Sequence, residues 1–168
     1  GQQGHTALQM AEAEGHAAVA ELLRQRAAKL PASVAMVLPG EVGRAAHRGE
    51  LQQVVEWLQK GGHIDALAEN GNGLLLAAAG GGRLHVAKEL LQRGASVNLR
   101  HVNDEGSSTA LMAAVYTGQH AIVRLLLEHK ASVDLQHESR MSALMMAAYQ
   151  GHKACVQELL QAGAGTEL

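Results

Sequence analysis

The sequence predicts an all-α solenoid of about five helix-turn-helix units with projecting hairpin loops, and three observations carry this prediction. First, an Ala-rich stretch ends in a glycine at Gly15, Gly49, Gly82, Gly118 and Gly151, at intervals of 34, 33, 36 and 33 residues. Second, each glycine is followed by an amphipathic run with apolar residues at helical spacing. Third, aromatic residues make up only 2% of the chain, so the core must consist of Leu, Ala, Val and Met, which suits closely packed small helices.

Each predicted unit contains a first helix before the recurring glycine, a second helix after it, and a loop. The second helix places apolar residues such as Val86, Leu90 and Leu91 on one face. Twelve residues after the recurring glycine the helix is expected to end in a left-handed cap, a position that favours glycine. Gly61, Gly94 and Gly163 stand there, with Lys130 and Ala27 in the other two units.

The segments Thr109–Gly118, Ile122–Leu127 and Ala131–Asp134 together resemble an ankyrin repeat, and Ser142–His152 and Gly4–Ala11 carry the same pattern. The resemblance covers nearly all of the chain and implies one ankyrin repeat domain of a larger protein. Each unit would then consist of two antiparallel helices and a projecting hairpin. The expected repeats span approximately residues 1–30, 36–66, 67–99, 100–135 and 136–168.

Three departures from the family pattern are visible. The Thr-Pro-Leu-His motif has lost its Pro, and we interpret Met112 and Met145, at its His position, as core-filling residues. Residues 99–108 make a hairpin that is longer than its neighbours. Residues 30–40 form an irregular apolar linker bracketed by Pro31 and Pro39. Two hypotheses remain for this linker: a regular five-repeat stack with one irregular loop, or a break after which the first repeat packs on a neighbouring chain.

Composition excludes several classes of protein. A net charge of -2 offers no electrostatic footprint for nucleic acid or an anionic membrane, and the apolar runs are too short to span a bilayer. The single Cys155 rules out an internal disulfide, so we expect an intracellular protein, cytoplasmic or nuclear. We interpret Cys155 as a small core residue.

We also expect no enzymatic activity, cofactor or metal. The Gly71-Asn-Gly73 sequence is a weak dinucleotide signal, better explained by a hairpin and a helix start. The ten histidines lack metal-site spacing, and His63, His101 and His137 are expected in solvated loops.

The resemblance implies a non-catalytic module that binds a partner protein or peptide on the concave face, formed by the first helices and the hairpins. Both tyrosines fall in this face, and tyrosine is enriched among binding hot spots. Glutamates at three successive hairpin tips favour a partner with a basic segment. The expected binding residues are Tyr116, Tyr149, Thr117, Gln150, Arg48, Glu69, Asn70, Asn72, Glu105, Glu138 and Met141.

Three further expectations concern this surface and its alternatives. Gly80-Gly81-Gly82 predicts a shallow slot for an extended peptide. Asn98, in Ala-Ser-Val-Asn, matches the position that asparaginyl hydroxylases modify in ankyrin repeats. The alternative function is a self-associating or domain-swapped scaffold, such as a homodimer, that uses residues 30–40 and the first repeat.

Overall fold

The computed structural model describes residues 16–21, 35–103 and 106–165. The chain divides into two compact units, residues 1–34 and 35–168. In the first unit residues 17–21 are helical, and the amide of Ala20 donates a hydrogen bond of 2.9 Å to the His16 carbonyl. The rest of the first predicted repeat lies outside the described residues, as do residues 30–34 of the predicted linker and Glu105.

The described part of the second unit contains eight helices and four short strands. The helices form four pairs that correspond to the second to fifth predicted repeats, so the all-α solenoid is confirmed. Among the described residues no helix has the length and apolar character needed to cross a membrane. In chain order the elements are β1 (Ala35–Val37), α1 (Gly40–Arg48), α2 (Leu51–Gln59), β2 (Gly62–Leu67), α3 (Leu74–Gly80), α4 (Leu84–Gln92), β3 (His101–Asn103), β4 (Gly106–Ser108), α5 (Ala110–Tyr116), α6 (His120–Glu128), α7 (Ala143–Tyr149) and α8 (Lys153–Gln161).

Alanines at one repeat position let the first helices stack closely. Helices α1, α3, α5 and α7 pack in sequence, each against the next. The distance between packed helices depends on the side chains at their contact, so small residues there bring the backbones together. Ala45, Ala78, Ala114 and Ala147 occupy this position, and each is 0% exposed. The second helices supply larger core side chains, such as Leu90 and Leu126.

Local capping explains where several helices begin and end. The hydroxyl oxygens of Thr109 and Ser142 accept hydrogen bonds from the amides of Met112 and Met145, at 3.4 and 3.3 Å, and so begin α5 and α7. At the predicted left-handed caps Gly61, Gly94 and Gly163 have φ angles of 92°, 89° and 85°, and Lys130 has 65°. The cap prediction is confirmed at these four positions, although Lys130 must adopt a conformation that a β-carbon disfavours.

Side-chain hydrogen bonds connect the loop side of successive repeats. Asp65 accepts from the amide and the hydroxyl of Ser96, at 2.9 and 2.5 Å. One repeat later, Asn98 accepts from the Ser132 amide at 2.8 Å and donates to the Lys130 carbonyl at 3.3 Å. Asp65 and Asn98, which follow Ile64 and Val97 at equivalent points of two repeats, therefore each tie their own repeat to the next.

A second set of bonds connects repeats near the recurring glycines. Arg83 donates through Nε to the His47 carbonyl at 2.9 Å, and His152 donates through Nε2 to the Tyr116 carbonyl at 3.2 Å. In both cases the donor immediately follows the recurring glycine of its repeat. The acceptor carbonyl lies two residues before the recurring glycine of the preceding repeat. These bonds hold the ends of the first helices in register.

The described part of the 30–40 segment is ordered structure at the start of the second unit. β1 pairs in parallel with β2, with Ala35 opposite Gly62 and Val37 opposite Leu67. The amide of Leu38 donates to the Leu67 carbonyl at 2.9 Å, and the Leu38 side chain is buried in the core. Leu38 of this segment thus contributes to the core beside the first helix pair of the unit.

Two expectations are wrong. His101 is not solvated: it is 1% exposed, because β3 and β4 form an antiparallel hairpin that reaches the preceding hairpin. That hairpin, called here the β2 hairpin, consists of residues 62–73 and is closed by an antiparallel bridge between Leu67 and Gly73. Met145 is not core-filling: it is 40% exposed, whereas the equivalent Met112 is 3% exposed. Met112 lies on α5, against which α7 of the following repeat packs, whereas no further helix pair follows α7 and α8 within the described residues.

Candidate functional site

Two connected grooves lie on the face formed by the first helices and the hairpins, called here the inner face. The N-terminal groove, of about 610 Å³, lies between α1, the β2 hairpin and α3. The C-terminal groove, of about 450 Å³, lies between α5, α7 and the hairpins that precede them. Asn72, Leu76 and Ala113 line both, so the two grooves form one continuous depression.

The C-terminal groove is an apolar cleft flanked by the two tyrosines. Met112 and Tyr116 are four residues apart on α5, and Met146 and Tyr149 are three apart on α7, so each pair shares a helix face. Met141 enters from the hairpin between α6 and α7. Thioethers are flexible and polarisable, so this lining adapts to apolar side chains of different shape.

Both tyrosines are exposed at the rim of this cleft. Tyr116 is 62% exposed and Tyr149 is 82% exposed. Tyr149 is the more exposed of the two and lies on the last described helix pair. A tyrosine at a rim offers a wide apolar ring and a hydroxyl that can bond to a partner backbone. The two rings therefore provide contact area that the stack itself leaves unused.

The N-terminal groove is lined in part by charged side chains. Arg44 and His47 of α1 stand on one wall, and Glu69 and Asn70 of the β2 hairpin tip stand on the other. The tip is held by a turn in which the Asn72 amide donates to the Asn70 side-chain oxygen at 3.2 Å. This end of the depression thus carries charges of both signs.

The structure brings together some of the predicted binding residues and separates others. Tyr116, Tyr149, Gln150, Met141 and Asn72 line the C-terminal groove, and Glu69, Asn70 and Asn72 line the N-terminal groove. Three others line neither groove. Thr117 donates to the Ala113 carbonyl at 3.0 Å, Arg48 forms an ion pair of 2.6 Å with Glu50, and Glu138 is exposed on its hairpin.

Sequence reasoning missed several residues that line the grooves. Met112 was assigned to the core alone, although it is both buried and part of the cleft floor. Met146, Leu76 and His137 were not singled out as binding residues. The helical spacing from the tyrosines was the available signal for the two methionines, since residues three or four apart share a face.

The expected slot at Gly80, Gly81 and Gly82 needs correction. Gly80 lines the N-terminal groove, but Gly81 packs directly on the backbone of His47 in the preceding repeat. Gly82 has a left-handed φ of 72° beside the Gln119 side chain. Two of the three glycines therefore serve the stacking of repeats, and only Gly80 opens space for a ligand.

The Gly71-Asn-Gly73 loop is occupied by the protein's own groups. Gly71 has a left-handed φ of 73°, and the Gly73 amide donates to Nδ1 of His101 at 3.1 Å. A β-carbon at Gly73 would lie 2.7 Å from the His101 ring, so the glycine makes room for the imidazole. The Gly73 amide is thus already engaged, as expected of a hairpin and helix start.

The described residues contain no group of three or more His, Cys, Asp or Glu side chains arranged to hold a metal ion. Cys155 is 0% exposed in the core, as expected, and burial raises the pKa of its thiol. Asn98, the predicted hydroxylation position, lies outside both grooves, and its modification stays a prediction.

Comparison with known families matches this arrangement of helix pairs and hairpins. A family model described as ankyrin repeats (three copies) matches residues 42–137 and 95–167, which together cover most of the chain. The chain belongs to the ankyrin repeat family. Ankyrin repeats are generally protein–protein interaction modules and generally non-catalytic.

Two curated ankyrin repeat relatives share part of the chain. A putative ankyrin repeat-containing protein of Treponema pallidum (strain Nichols) is 32% identical over 100 residues, which is 59% of this chain and 33% of the relative. The ankyrin repeat and KH domain-containing protein mask of Drosophila melanogaster is 33% identical over 94 residues, or 56% of this chain and 2% of the relative. The chain thus spans a third or less of either relative.

Proposed function

We propose that this ankyrin repeat domain binds a partner protein through its inner face, with the C-terminal groove as the anchoring site. The observation that carries the proposal is the pair of exposed tyrosines, Tyr116 and Tyr149, on either side of a methionine-lined cleft. Exposed aromatic side chains beside an apolar pocket are typical of interface hot spots. The partner inserts apolar side chains between the two rings.

The rigid frame beneath the cleft supports this function. Tyr116 is anchored through its carbonyl by His152, and α5 and α7 stack through buried Ala114 and Ala147. A surface that is already ordered loses little conformational entropy when a partner docks. Binding energy then depends on the contacts and not on organising the repeats.

The rim favours a partner with a basic segment beside its apolar residues. Glu69 and Glu138 are exposed on the tips of two hairpins, and neither forms an ion pair shorter than 4.0 Å in the described part of the chain. Carboxylates in such positions steer positive charges toward the adjacent grooves. Binding should therefore weaken as ionic strength rises.

A pull-down with a matched control tests the proposal. Wild-type protein, a Tyr116→Ala/Tyr149→Ala variant and a Leu84→Ala/Leu160→Ala variant serve as baits in a cell lysate, with mass spectrometry as readout. The control removes two large apolar side chains that are 42% and 45% exposed on second helices, away from both grooves. Circular dichroism first establishes that all three proteins fold alike.

The expected result is a set of proteins retained by the wild type and the leucine variant and lost with the tyrosine variant. Replacing each hot-spot residue by alanine should cost about 2 kcal/mol or more of binding free energy. A complex of ordinary affinity should then dissociate almost completely during the pull-down. Equal retention by the tyrosine variant would overturn the assignment of the site. If the leucine variant alone fails to retain these proteins, the binding site lies on the second helices.

Self-association is the second candidate, and one observation favours it. Val37 of β1, in the 30–40 segment, is 62% exposed although it is apolar. An edge strand that carries exposed apolar side chains can pair through its backbone with a strand of another chain. Light scattering distinguishes this candidate, because a scaffold shows a concentration-dependent mass above that of the monomer.

A further inference from the structure

One buried ionisable side chain does not line either groove, yet it joins two hairpins whose residues do. His101 begins β3, is 1% exposed and accepts the Gly73 amide hydrogen bond through Nδ1 at 3.1 Å. The ring also bonds to the backbone at Gly71. It thus connects the hairpin of one repeat to Gly73, the N-cap residue of α3 in the preceding repeat.

We propose that His101 is an acid-sensitive latch: the neutral imidazole holds the β3–β4 hairpin against the β2 hairpin, and protonation releases it. The latch lies beside the groove junction, because Asn72 precedes its partner Gly73 and Leu76 lies in the first turn of α3. Both of these residues line the N-terminal and C-terminal grooves. Release would change the shape of the inner face whether or not a partner is bound.

The hydrogen bond from the Gly73 amide requires a neutral ring. Nδ1 accepts from the Gly73 amide, so it carries no proton, and the single proton of the neutral ring is on Nε2. Protonation would place a second N–H group against the Gly73 amide, where two donors face each other without an acceptor. It would also leave a positive charge in a site from which water is excluded.

One nearby carboxylate favours the protonated ring, although its effect is smaller than that of burial. Asp65 of β2 is the carboxylate whose field reaches the ring from the facing hairpin, and it is itself held by Ser96. Arg100, which immediately precedes β3, donates to other partners, the Ser107 hydroxyl at 2.9 Å and the Gln136 carbonyl of the next hairpin at 3.2 Å.

Burial has the largest effect on the ring and lowers the pKa of His101, while the Gly71 bond and Asp65 act in the opposite direction. A pKa that is lower in the closed state means that the open state binds the proton more tightly. The free energy that keeps the latch closed is therefore unchanged at pH values above about 6.5, the ordinary pKa of histidine. It decreases as the pH falls below that value, until the pKa of the closed state is reached.

Amide hydrogen exchange measured by NMR between pH 7.5 and 5 tests the proposal on the full chain. After correction for the intrinsic pH dependence, exchange at Gly73 should accelerate by up to about tenfold per pH unit below 6.5. The amide of Leu126, in the core of α6, serves as the internal reference and should keep its protection. Protection at Gly73 that does not change with pH, or that falls in parallel with Leu126, would refute the latch.

Two variants separate the latch from the other histidines. His101→Asn keeps an acceptor near the Nδ1 position but cannot be protonated, so exchange at Gly73 should no longer depend on pH. His137→Asn removes a half-buried histidine of the next hairpin and should retain the wild-type response. The opposite pattern would assign the effect to His137. If His101→Asn does not fold, the wild-type series and the His137 control still decide, since their outcomes do not depend on that variant.

Discussion

Adding one methyl group at Gly81 should destabilise the stack between two repeats. A β-carbon there would overlap the carbonyl oxygen of His47 and lie 3.0 Å from its carbonyl carbon. Both clashing atoms belong to the backbone of α1, so they cannot rotate away as a side chain would. Overpacking of this kind costs about 1–3 kcal/mol. Gly81 itself has a φ of -77°, which alanine tolerates, so backbone strain does not contribute.

The neighbouring Gly80 provides a matched control with the opposite expected sign. A β-carbon at Gly80 would lie 3.8 Å from the Ala113 β-carbon, an ordinary contact at the surface of the N-terminal groove. Because Gly80 is the last residue of α3, alanine there should stabilise the helix by up to about 1 kcal/mol. The two variants should therefore differ by roughly 2 kcal/mol in unfolding free energy, estimated from the overpacking and helix contributions.

Urea denaturation followed by circular dichroism measures this difference through the transition midpoint at unchanged slope. In a thermal melt, 2 kcal/mol corresponds to about 4–8 °C for a chain of this size. The reasoning is refuted if Gly81→Ala is as stable as Gly80→Ala. In that case repeats 2 and 3 would not pack as closely at His47 as the structure shows.

Two further substitutions test the caps and the ties between repeats. Lys130→Gly should raise the unfolding free energy by about 1 kcal/mol, because Lys130 has a φ of 65° where the equivalent residues are glycine; a lower stability in urea would contradict this. Asn98→Ala should lower it by about 1–2 kcal/mol through loss of the bonds with Ser132 and Lys130. Asn98→Asp keeps the acceptor for the Ser132 amide and should lose less, so an equal loss in both variants would show that this bond contributes little.

The repeat pattern was sufficient to predict the helix pairs and their ends. The recurring glycines and the apolar spacing identified α1 to α8, and the cap position identified even Lys130 as the residue that replaces glycine. These features are local, since a helix and its cap depend on residues within a few positions of one another. The exposure of Tyr116 and Tyr149, by contrast, had to be observed, because a tyrosine in this register can also pack on its own stack.

Equivalent positions in different repeats show where sequence reasoning ends. Met112 and Met145 stand at the same point of the repeat, yet one is 3% and the other 40% exposed, because burial depends on the neighbour that covers each residue. Gly80 and Gly81 are adjacent and chemically identical, but only one touches the preceding repeat.

The sequence by itself determined the repeat period, the membership of the ankyrin repeat family and the helical character of the chain, because these follow from local spacing repeated many times. Only the tertiary structure decided that His101 is buried between two hairpins and that the methionines form the floor of a cleft between the tyrosines. Those contacts join residues about 28 to 36 positions apart, such as Gly73 with His101 and Tyr116 with His152. Their geometry depends on how closely one repeat approaches the next, which is a property of the packed stack and not of any single segment.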